Sequence, residues 1–277
     1  MDVEKEIKTI EEQSKDKAVA AEDYEQDGLL YCGKCHTPKQ YAFEYNGHVF
    51  KPRCNCKCES ERYEREQAQR RQSAADHERE SNRQECFGGS TLIAATFERD
   101  DGANKKLSTI ARNYADNFAE MKRLGKGLLF FGEVGTGKTF LSACIANAVI
   151  DKGYRALVTN FATLTNTITG SRDRNEVVNG LNKYHLLVID DLASERDTEF
   201  MGEIVQTIID SRYRSGLPVI VTTNLSAGEL KHPNDIRKQR IFSRLFEICL
   251  PFEVQGVDRR KETLKRNFDE MKSLLGL

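Results

Sequence analysis

Residues 132–139 read Gly132-Glu133-Val134-Gly135-Thr136-Gly137-Lys138-Thr139, which fits the pattern G-x-x-x-x-G-K-T at every defined position. The backbone N–H groups of such a loop point into one concavity, and the N-terminus of the following helix adds to its attraction for phosphate. The lysine, Lys138, reaches the β- and γ-phosphates, and the hydroxyl of Thr139 ligates Mg²⁺. These eight residues therefore predict a site for ATP, or another nucleoside triphosphate, together with Mg²⁺.

The residues on either side of this loop decide whether the pattern is meaningful. The apolar run Leu128–Phe131 precedes it. After it, apolar residues recur with helical spacing, at Leu141, Cys144, Ile145, Ala148 and Val149. A strand, a glycine-rich loop and a helix are thus predicted in the order that a phosphate-binding loop requires.

Further strands and helices alternate along the second half of the chain. Buried strands are predicted at Leu128–Phe131, Ala156–Thr159, Leu186–Asp190 and Val219–Thr222. A helix between the last two would bury one face, formed by Phe200, Ile204, Ile208 and Ser211. The stretch Asp258–Leu275 also has a helical pattern, with Leu264, Phe268, Met271 and Leu275 on one face. This alternation predicts an α/β fold in which helices flank a parallel sheet on both sides.

Polar residues follow two of the predicted strands. Asp190 and Asp191 end the third strand, fifty-two and fifty-three residues after Lys138. Because ligands of parallel sheets bind at the carboxyl ends of the strands, Asp190 is expected to serve the metal and Asp191 to polarise the attacking water. Alternatively, Asp191 only caps the next loop. Asn224 follows the fourth strand, where its side chain can orient water and report hydrolysis.

Composition places few limits on function. The 277 residues leave room for one large domain, or for a medium domain with a small addition, and the net charge of −1 neither favours nor excludes nucleic acid. No apolar stretch approaches the length of a membrane span, and the first residues do not resemble a secretory signal. We therefore expect a cytoplasmic protein that does not bind membranes.

Shifts in composition divide the chain into four parts. Residues 1–27 carry ten acidic and four basic residues and are expected to form a mobile leader. Residues 28–58 hold five basic residues and one acidic residue, together with most of the cysteines. Residues 59–85, rich in Glu, Arg and Gln, predict a solvated helix or a partly ordered linker. Gly88-Gly89 interrupts the helical pattern near the start of residues 86–277, which form the predicted nucleotide-binding domain.

Five of the eight cysteines crowd into twenty-seven residues, at Cys32, Cys35, Cys54, Cys56 and Cys58. In a reducing compartment such a cluster favours a metal site over disulfides. Cys32 and Cys35 fit one half of a tetrahedral zinc site, and the other half needs two of the last three cysteines. Between them, a strand ending at Tyr45 and a turn at Asn46-Gly47 predict a hairpin of the zinc-ribbon kind.

Several alternatives to this assignment remain open from sequence. The cysteines could hold an iron–sulfur cluster or no metal, and His36 or His48 could replace one thiolate. The region could serve only to hold a small segment together, could dock a protein partner, or could contact nucleic acid through its basic and aromatic residues. Of the cysteines outside this cluster, Cys144 lies on the apolar face of the helix predicted after the phosphate-binding loop, and it is expected to fill the core.

The order of these motifs resembles that of AAA+ ATPases, and most closely the DnaC/DnaI/IstB group of bacterial and phage helicase loaders. The resemblance rests on the loop, on Leu186–Asp191, on Thr223-Asn224 and on Ser243-Arg244-Leu245. Two further stretches of sequence, Ala95–Gly102 and Val158–Phe161, also resemble that group. It covers about residues 86–277, while the cysteine-rich part resembles phage-type loaders that carry an N-terminal zinc module.

The resemblance implies a role for further polar residues. Asn224 would be the sensor-one residue, Arg244 the arginine finger, and Arg260, or else Arg259, the sensor-two residue. The chain departs from many AAA+ enzymes in having Asp191 where they have glutamate. A shorter carboxylate would hold water less well and slow the hydrolysis of ATP, and Glu195 is an alternative base.

The function that the resemblance implies is the ATP-dependent loading of a replicative helicase hexamer onto single-stranded DNA during replication initiation. ATP hydrolysis would be slow and stimulated by DNA, and the ATP-bound form would self-assemble, since an arginine finger acts across a subunit boundary. One alternative is a transposition helper of the IstB type, which binds duplex DNA and recruits a transposase. Another is a zinc-dependent DNA-binding regulator whose ATP site is only structural.

Overall fold

A computed structural model of the chain describes residues 19–192, 199–233 and 235–260, together with Thr9, Phe268, Met271, Lys272, Leu274 and Leu275. The side chains of residues 199–201 are not among those described. The chain divides into two compact units, Met1–Asp76 and His77–Leu277. The predicted domain boundaries at residues 27, 58 and 85 remain predictions.

The first unit contains two short antiparallel hairpins. Their strands are β1 (Tyr24–Gln26), β2 (Leu29–Tyr31), β3 (Phe43–Tyr45) and β4 (His48–Phe50), and β1 pairs with β2 as β3 pairs with β4. Each hairpin turns on two residues of positive φ, Asp27-Gly28 and Asn46-Gly47, as two-residue turns of this kind require. The second hairpin confirms its predicted turn. The first uses residues 24–27, which the sequence analysis had placed in the leader.

A buried ion pair joins the start of the first unit to the rest of it. Lys39 Nζ lies 2.7 Å from Asp23 Oδ2 and 3.2 Å from Glu59 Oε1, and only 8% of Lys39 is exposed. The bond to Asp23 raises the pKa of Lys39, and that same bond lowers the pKa of Asp23. Lys39 therefore holds the unit together and does not contribute to a basic surface.

One long helix, α1 (Lys57–Phe87), runs through the predicted charged stretch, and the division between the two units falls within it. Most of its side chains are exposed, with pairs such as Arg65 and Glu61 one turn apart at 3.5 Å. Each such pair stabilises a helix only slightly. Its last residues, Cys86 and Phe87, are buried in the core of the second unit.

The second unit is built on a five-stranded sheet. Its strands are β5 (Gly127–Phe131), β6 (Ala156–Asn160), β7 (Leu186–Asp190), β8 (Val219–Thr223) and β9 (Cys249–Glu253), in the order β6-β7-β8-β5-β9. All neighbouring pairs are parallel. The four predicted strands are confirmed to within one residue at each end, and β9 adds a fifth strand beside β5.

Helices cover both faces of this sheet. One face carries α2 (Lys105–Asp116), α3 (Phe118–Leu124) and α4 (Lys138–Asp151). The other carries α5 (Phe161–Gly170), α6 (Arg174–Gly180), α7 (Glu199–Ser215), α8 (Ala227–Lys231) and α9 (Ile236–Ile248). Short 3-10 turns occupy Thr91–Ala94, Phe97–Arg99 and Leu181–Lys183. The predicted fold class is confirmed.

The strands contribute side chains to two separate cores because successive side chains point to opposite faces of the sheet. In β5, Leu128 and Phe130 belong to the core that includes α2 and α4, while Leu129 belongs to the core that includes α7 and α9. The α4 helix is buried more widely than one apolar stripe predicts. Its polar Ser142 and Asn147 are also buried, and Asn147 donates to the carbonyls of Ile93 and Ala95. This helix therefore lies in the centre of the unit.

Two expectations fall wholly or partly outside the described residues. The predicted face of α7 is buried at Ile204, Ile208 and Ser211, whereas the side chain of Phe200 is not described. Of the predicted helix at 258–275, residues 261–267, 269–270 and 273 are not described. Within the described part of the chain, no helix has the length and apolar character needed to cross a membrane.

Candidate functional site

The phosphate-binding loop joins β5 to α4 and lies at the carboxyl edge of the sheet. Gly135 and Gly137 have φ angles of 77° and 98°, in the left-handed region that glycine adopts without strain. A β-carbon on Gly135 would lie 1.8 Å from Asp258 Oδ1, and one on Gly137 would lie 3.3 Å from Arg259 Nη1. The glycines thus allow both the turn of the loop and the close approach of Asp258 and Arg259, which follow β9.

Lys138 begins α4 and is held inside the loop. Its Nζ donates to the carbonyl oxygens of Gly132 and Glu133, at 2.8 and 2.7 Å. Only 5% of the residue is exposed, and burial lowers its pKa, while Asp191 and Asp190 oppose that shift. Carbonyl acceptors are weaker than charged ones, so phosphate oxygens entering the loop would be stronger partners for this ammonium group.

Asp190, at the end of β7, is held by hydroxyl groups from two other elements. Thr139 Oγ1, on α4, donates to Asp190 at 2.9 and 3.0 Å, and Thr222 Oγ1, on β8, donates at 2.6 Å. Burial raises the pKa of Asp190, and these two hydrogen bonds oppose the shift. The carboxylate and the Thr139 hydroxyl are hard oxygen ligands in contact, which is a donor set suited to Mg²⁺.

Thr222 was missed by the sequence analysis. Besides its bond to Asp190, its Oγ1 accepts from the backbone N–H of Asp191 at 3.0 Å. It therefore fixes both aspartates from the neighbouring strand. A hydroxyl residue near the end of an otherwise aliphatic strand is the signal that could have found it.

Asp191 has a backbone conformation unusual for a residue other than glycine, with a φ of 55°. Its Oδ1 accepts from Asn224 Nδ2 at 3.2 Å, so the two predicted water-positioning residues are in contact. Strained backbone held by its surroundings is common at functional sites. The alternative base, Glu195, lies outside the described residues.

One cavity of about 360 Å³ collects most of the predicted residues. Its walls include Val134, Gly135, Thr136, Gly137, Lys138, Thr139, Asp190, Asp191, Asn224 and Arg260. Arg259 lines it as well, so the two candidate sensor-two residues both face the same space. Leu92 and Phe140 complete the wall and were not predicted.

Arg244 is not brought to this cavity. It lies on α9, where its guanidinium stacks 4.4 Å from the centre of the Tyr213 ring and lies 3.4 Å from Asp210. A separate groove of about 590 Å³ between α7 and α9 exposes it to solvent. The chain's own geometry therefore does not join Arg244 to Lys138 and Asp190.

A second candidate site lies in the first unit. The sulfur atoms of Cys32, Cys35, Cys56 and Cys58 all lie within 4.8 Å of one another, with 3.6 Å between Cys32 and Cys58 and 3.3 Å between Cys56 and Cys58. Sulfur atoms that share a tetrahedral zinc lie about 3.8 Å apart, because each Zn–S bond is about 2.3 Å. These four thiols therefore fit a zinc ion.

The remaining candidate ligands lie apart from this cluster. Cys54 Sγ faces the carbonyl oxygen of Pro38 at 3.6 Å, and His36 Nδ1 pairs with the hydroxyl of Tyr24. Near the cluster, the Thr37 hydroxyl lies 3.1 Å from Cys35 Sγ, and this bond lowers the pKa of Cys35 to about 5. A low thiol pKa favours the thiolate, which is the form that binds metal.

Comparison with known proteins adds a family to this geometry. A family model described as IstB-like ATP binding protein matches residues 64–265, which is 202 of the 277 residues. The matched stretch contains the phosphate-binding loop, both aspartates and the two arginines of the cavity.

The named relatives include helicase loaders and an insertion sequence protein. The replicative helicase loader DnaI of Bacillus subtilis is 26% identical over 184 residues, covering 61% of this chain and 59% of DnaI. The replicative helicase loader DnaC of Escherichia coli K12 is 27% identical over 107 residues, 37% of this chain and 44% of DnaC. A putative insertion sequence ATP-binding protein of Sinorhizobium fredii is 31% identical over 108 residues, 38% of this chain and 36% of that protein. These matches span between about a third and three fifths of the relatives' lengths.

Solved structures share the fold. A crystal structure of DnaI superposes with a TM-score of 0.51 at 26% identity, covering 61% of this chain and 92% of that one. The crystal structure of the DnaC helicase loader gives a TM-score of 0.54 at 23% identity, covering 60% of this chain and all of that one. Both similarities agree with the five-stranded parallel sheet and its flanking helices.

Proposed function

Because the chain belongs to the family of IstB-like ATP-binding proteins, we propose that it is an ATP-dependent loader that delivers a replicative helicase hexamer onto single-stranded DNA during replication initiation. The family membership confirms the resemblance expected from sequence. The observation that supports the loader role is the similarity to DnaI, which extends over 61% of this chain.

The nucleotide cavity supplies the groups that binding and hydrolysis of ATP need. Lys138 would exchange its carbonyl partners for phosphate oxygens, and Thr139 with Asp190 would hold Mg²⁺. The metal would neutralise charge on the phosphates. Asp191, held by Asn224, would orient the attacking water, and its short side chain is consistent with slow hydrolysis. Arg260 or Arg259, which line the same cavity, would sense the bound nucleotide.

Arg244 is proposed to act on the ATP of a neighbouring copy of the chain. It is partly exposed and lies outside its own nucleotide cavity, in the groove between α7 and α9. An arginine supplied by a neighbour stabilises the charge that develops on the γ-phosphoryl group. ATP-dependent self-assembly would follow, and DNA that orders the assembly would stimulate hydrolysis.

The first unit is proposed to bind zinc through Cys32, Cys35, Cys56 and Cys58, and to dock the helicase. A closed site of four thiolates is a structural site, since it leaves no position for a substrate. Lys39 is engaged with Asp23 and Glu59, and the acidic residues before Gly28 reduce the basic excess of residues 28–58. This balance of charge favours a protein partner over nucleic acid.

The proposal is tested by measuring capture of a purified replicative helicase by the full-length chain, with and without ATP, and transfer of that helicase onto single-stranded DNA. We expect capture by the wild-type protein, loss of capture in Cys35→Ser, and capture without transfer in Lys138→Ala. Absence of helicase capture by the folded wild-type protein, with or without ATP, would contradict the loader role.

A transposition helper is the second candidate, supported by the description of the family and by the insertion sequence relative. It predicts ATP-dependent binding to duplex DNA without helicase capture. The two candidates are separated by comparing binding to duplex and single-stranded DNA in ATP. Binding to duplex DNA that is the same with and without ATP would instead favour the DNA-binding regulator.

A further inference from the structure

The residues that follow β9 in the second unit run across the phosphate-binding loop. We call residues 254–260 the strap. Its Val254 N–H donates to the Phe131 carbonyl at 2.8 Å, and its Arg259 N–H donates to the Gly135 carbonyl at 3.0 Å. A β-carbon on Gly132 would lie 2.9 Å from the Val254 carbonyl oxygen. The strap therefore contacts the loop near both of its own ends.

The two arginines at the end of the strap are held differently. The Arg259 guanidinium has one end, Nη2, 3.0 Å from Asp101 Oδ1, while the other end, Nη1, lies over Gly137 in the loop. Arg260 lines the same cavity, but its side chain is exposed, and its backbone N–H donates to Asp258 Oδ1 at 3.1 Å. Among the residues that the structure describes, Arg259 is thus the strap arginine whose guanidinium is paired with a fixed carboxylate.

Asp101 is itself fixed by its local structure. Its Oδ1 also accepts from the backbone N–H of Ala103 at 2.9 Å, which closes an Asx turn. Three residues later, Asn104 caps the start of α2 by accepting from the Leu107 N–H, and its amide donates to the strap carbonyl of Gln255 at 3.3 Å. The Asp101 carboxylate is therefore held in a fixed position between α2 and the strap.

We propose that Asp101 is a positioning residue for nucleotide recognition, and that Arg259 is the strap arginine that contacts the terminal phosphates of ATP. This inference rests on the proposed ATP site. Asp101 takes one edge of the planar guanidinium and leaves the other edge directed into the loop, where an entering triphosphate would accept from it. Because ADP lacks the γ-phosphate, Asp101 and Arg259 together raise the preference for ATP over ADP.

The test measures the dissociation constants of ATP and ADP for the full-length protein carrying Asp101→Asn, Arg259→Gln or both. Arg259→Gln should reduce the preference for ATP over ADP about tenfold, since it removes a charge-assisted hydrogen bond. Asp101→Asn should reduce it about threefold, because a partly exposed ion pair is weak. In the Arg259→Gln background, Asp101→Asn should have no further effect on the preference.

Matched variants separate this role from simple stabilisation of the fold. Asp101→Glu should restore most of the preference, and Asp100→Asn, which keeps an acceptor for the Gly102 N–H, should leave it unchanged. Equal effects of Asp101→Asn on ATP and ADP, or full additivity with Arg259→Gln, would overturn the inference. A larger loss of preference in Arg260→Gln than in Arg259→Gln would also overturn it. Failure of helicase capture would leave these affinity ratios unaffected, so the two proposals fail separately.

Discussion

Cysteines occur in both units of this protein, and the two units use them in opposite ways. In the second unit Cys144 is fully buried in the core, and burial raises the pKa of its thiol to about 12. In the first unit four thiols converge on one another and their pKa values shift in opposite directions, since the Thr37 hydroxyl lowers the pKa of Cys35 to about 5 while burial raises that of Cys56. The same side chain fills apolar space in one unit and forms a polar cluster in the other.

The difference follows from the size of the two cores. In the second unit the sheet is covered on both faces, so two large apolar clusters hold the nucleotide site in place. In the described part of the first unit, the buried apolar side chains other than cysteine are Leu30, Phe50 and Pro52. So small a core does not stabilise a fold without a disulfide or a metal. We therefore expect the first unit to depend on zinc and the second to be independent of it.

The largest expected effect is that of Cys35→Ser on the first unit. A structural zinc site contributes about 10–16 kcal/mol to folding in small domains. The variant should lose its zinc, about one ion per chain in the wild type, and unfold its two hairpins, while its affinity for ATP stays nearly unchanged. Metal analysis, amide hydrogen exchange and nucleotide binding check these outcomes.

Cys54→Ser is the matched control for that variant, because Cys54 lies outside the cluster. It should keep the full zinc content. Equal loss of zinc in Cys54→Ser and Cys35→Ser would show that the cluster is wrongly assigned, and loss of ATP binding in Cys35→Ser would show that the two units do not fold independently.

Lys138→Ala should have the reverse effect, with ATP affinity reduced more than a hundredfold and zinc retained. The substitution removes two or more charge-assisted hydrogen bonds, each worth about 1.5–3 kcal/mol. Calorimetric titration with ATP measures the loss. Lys152→Ala, at the other end of α4, is the control and should bind ATP like the wild type. Similar losses in both variants would point to damage to the helix.

Asp191→Asn should separate binding from chemistry within the second unit. We expect ATP affinity within about twofold of the wild type and hydrolysis about a hundredfold slower, as for loss of a general base. Release of phosphate at saturating ATP is the measurement. An unchanged rate would move the role of base to another carboxylate, with Glu195 as the next candidate.

Arg244→Ala should leave the ATP affinity of the isolated chain unchanged but lose ATP-dependent self-assembly and DNA-stimulated hydrolysis, to which an arginine supplied by a neighbour can contribute roughly 10³–10⁵ in rate. The guanidinium lies outside its own nucleotide cavity, so it should act on a neighbouring copy. Mixing Arg244→Ala with Lys138→Ala protein allows an intact loop to meet an intact arginine, and part of the activity should return. No recovery at any ratio, with both proteins folded, would indicate that Arg244 acts within its own chain or not at all.

Local sequence signals were sufficient for much of the fold. The strands β5 to β8 were predicted to within one residue because each is a short aliphatic run ended by a polar residue or a turn. The Asn46-Gly47 turn was predicted because few residue pairs adopt positive φ at both positions. The first hairpin was missed although Asp27-Gly28 is a turn pair of the same kind, because the acidic composition of residues 1–27 predicted a leader that ends at Asp27.

The sequence by itself determined the phosphate-binding loop, the individual strands of the sheet and the presence of a cysteine cluster, since each follows from a local pattern of residues. The tertiary structure alone decided that Thr222 holds Asp190, that Cys54 stands apart from the other thiols, and that Asp101 holds Arg259. These pairings join residues that are far apart in the chain or compete with identical neighbours. Which of them meet depends on how the strands and turns align in space, and no local pattern records that alignment.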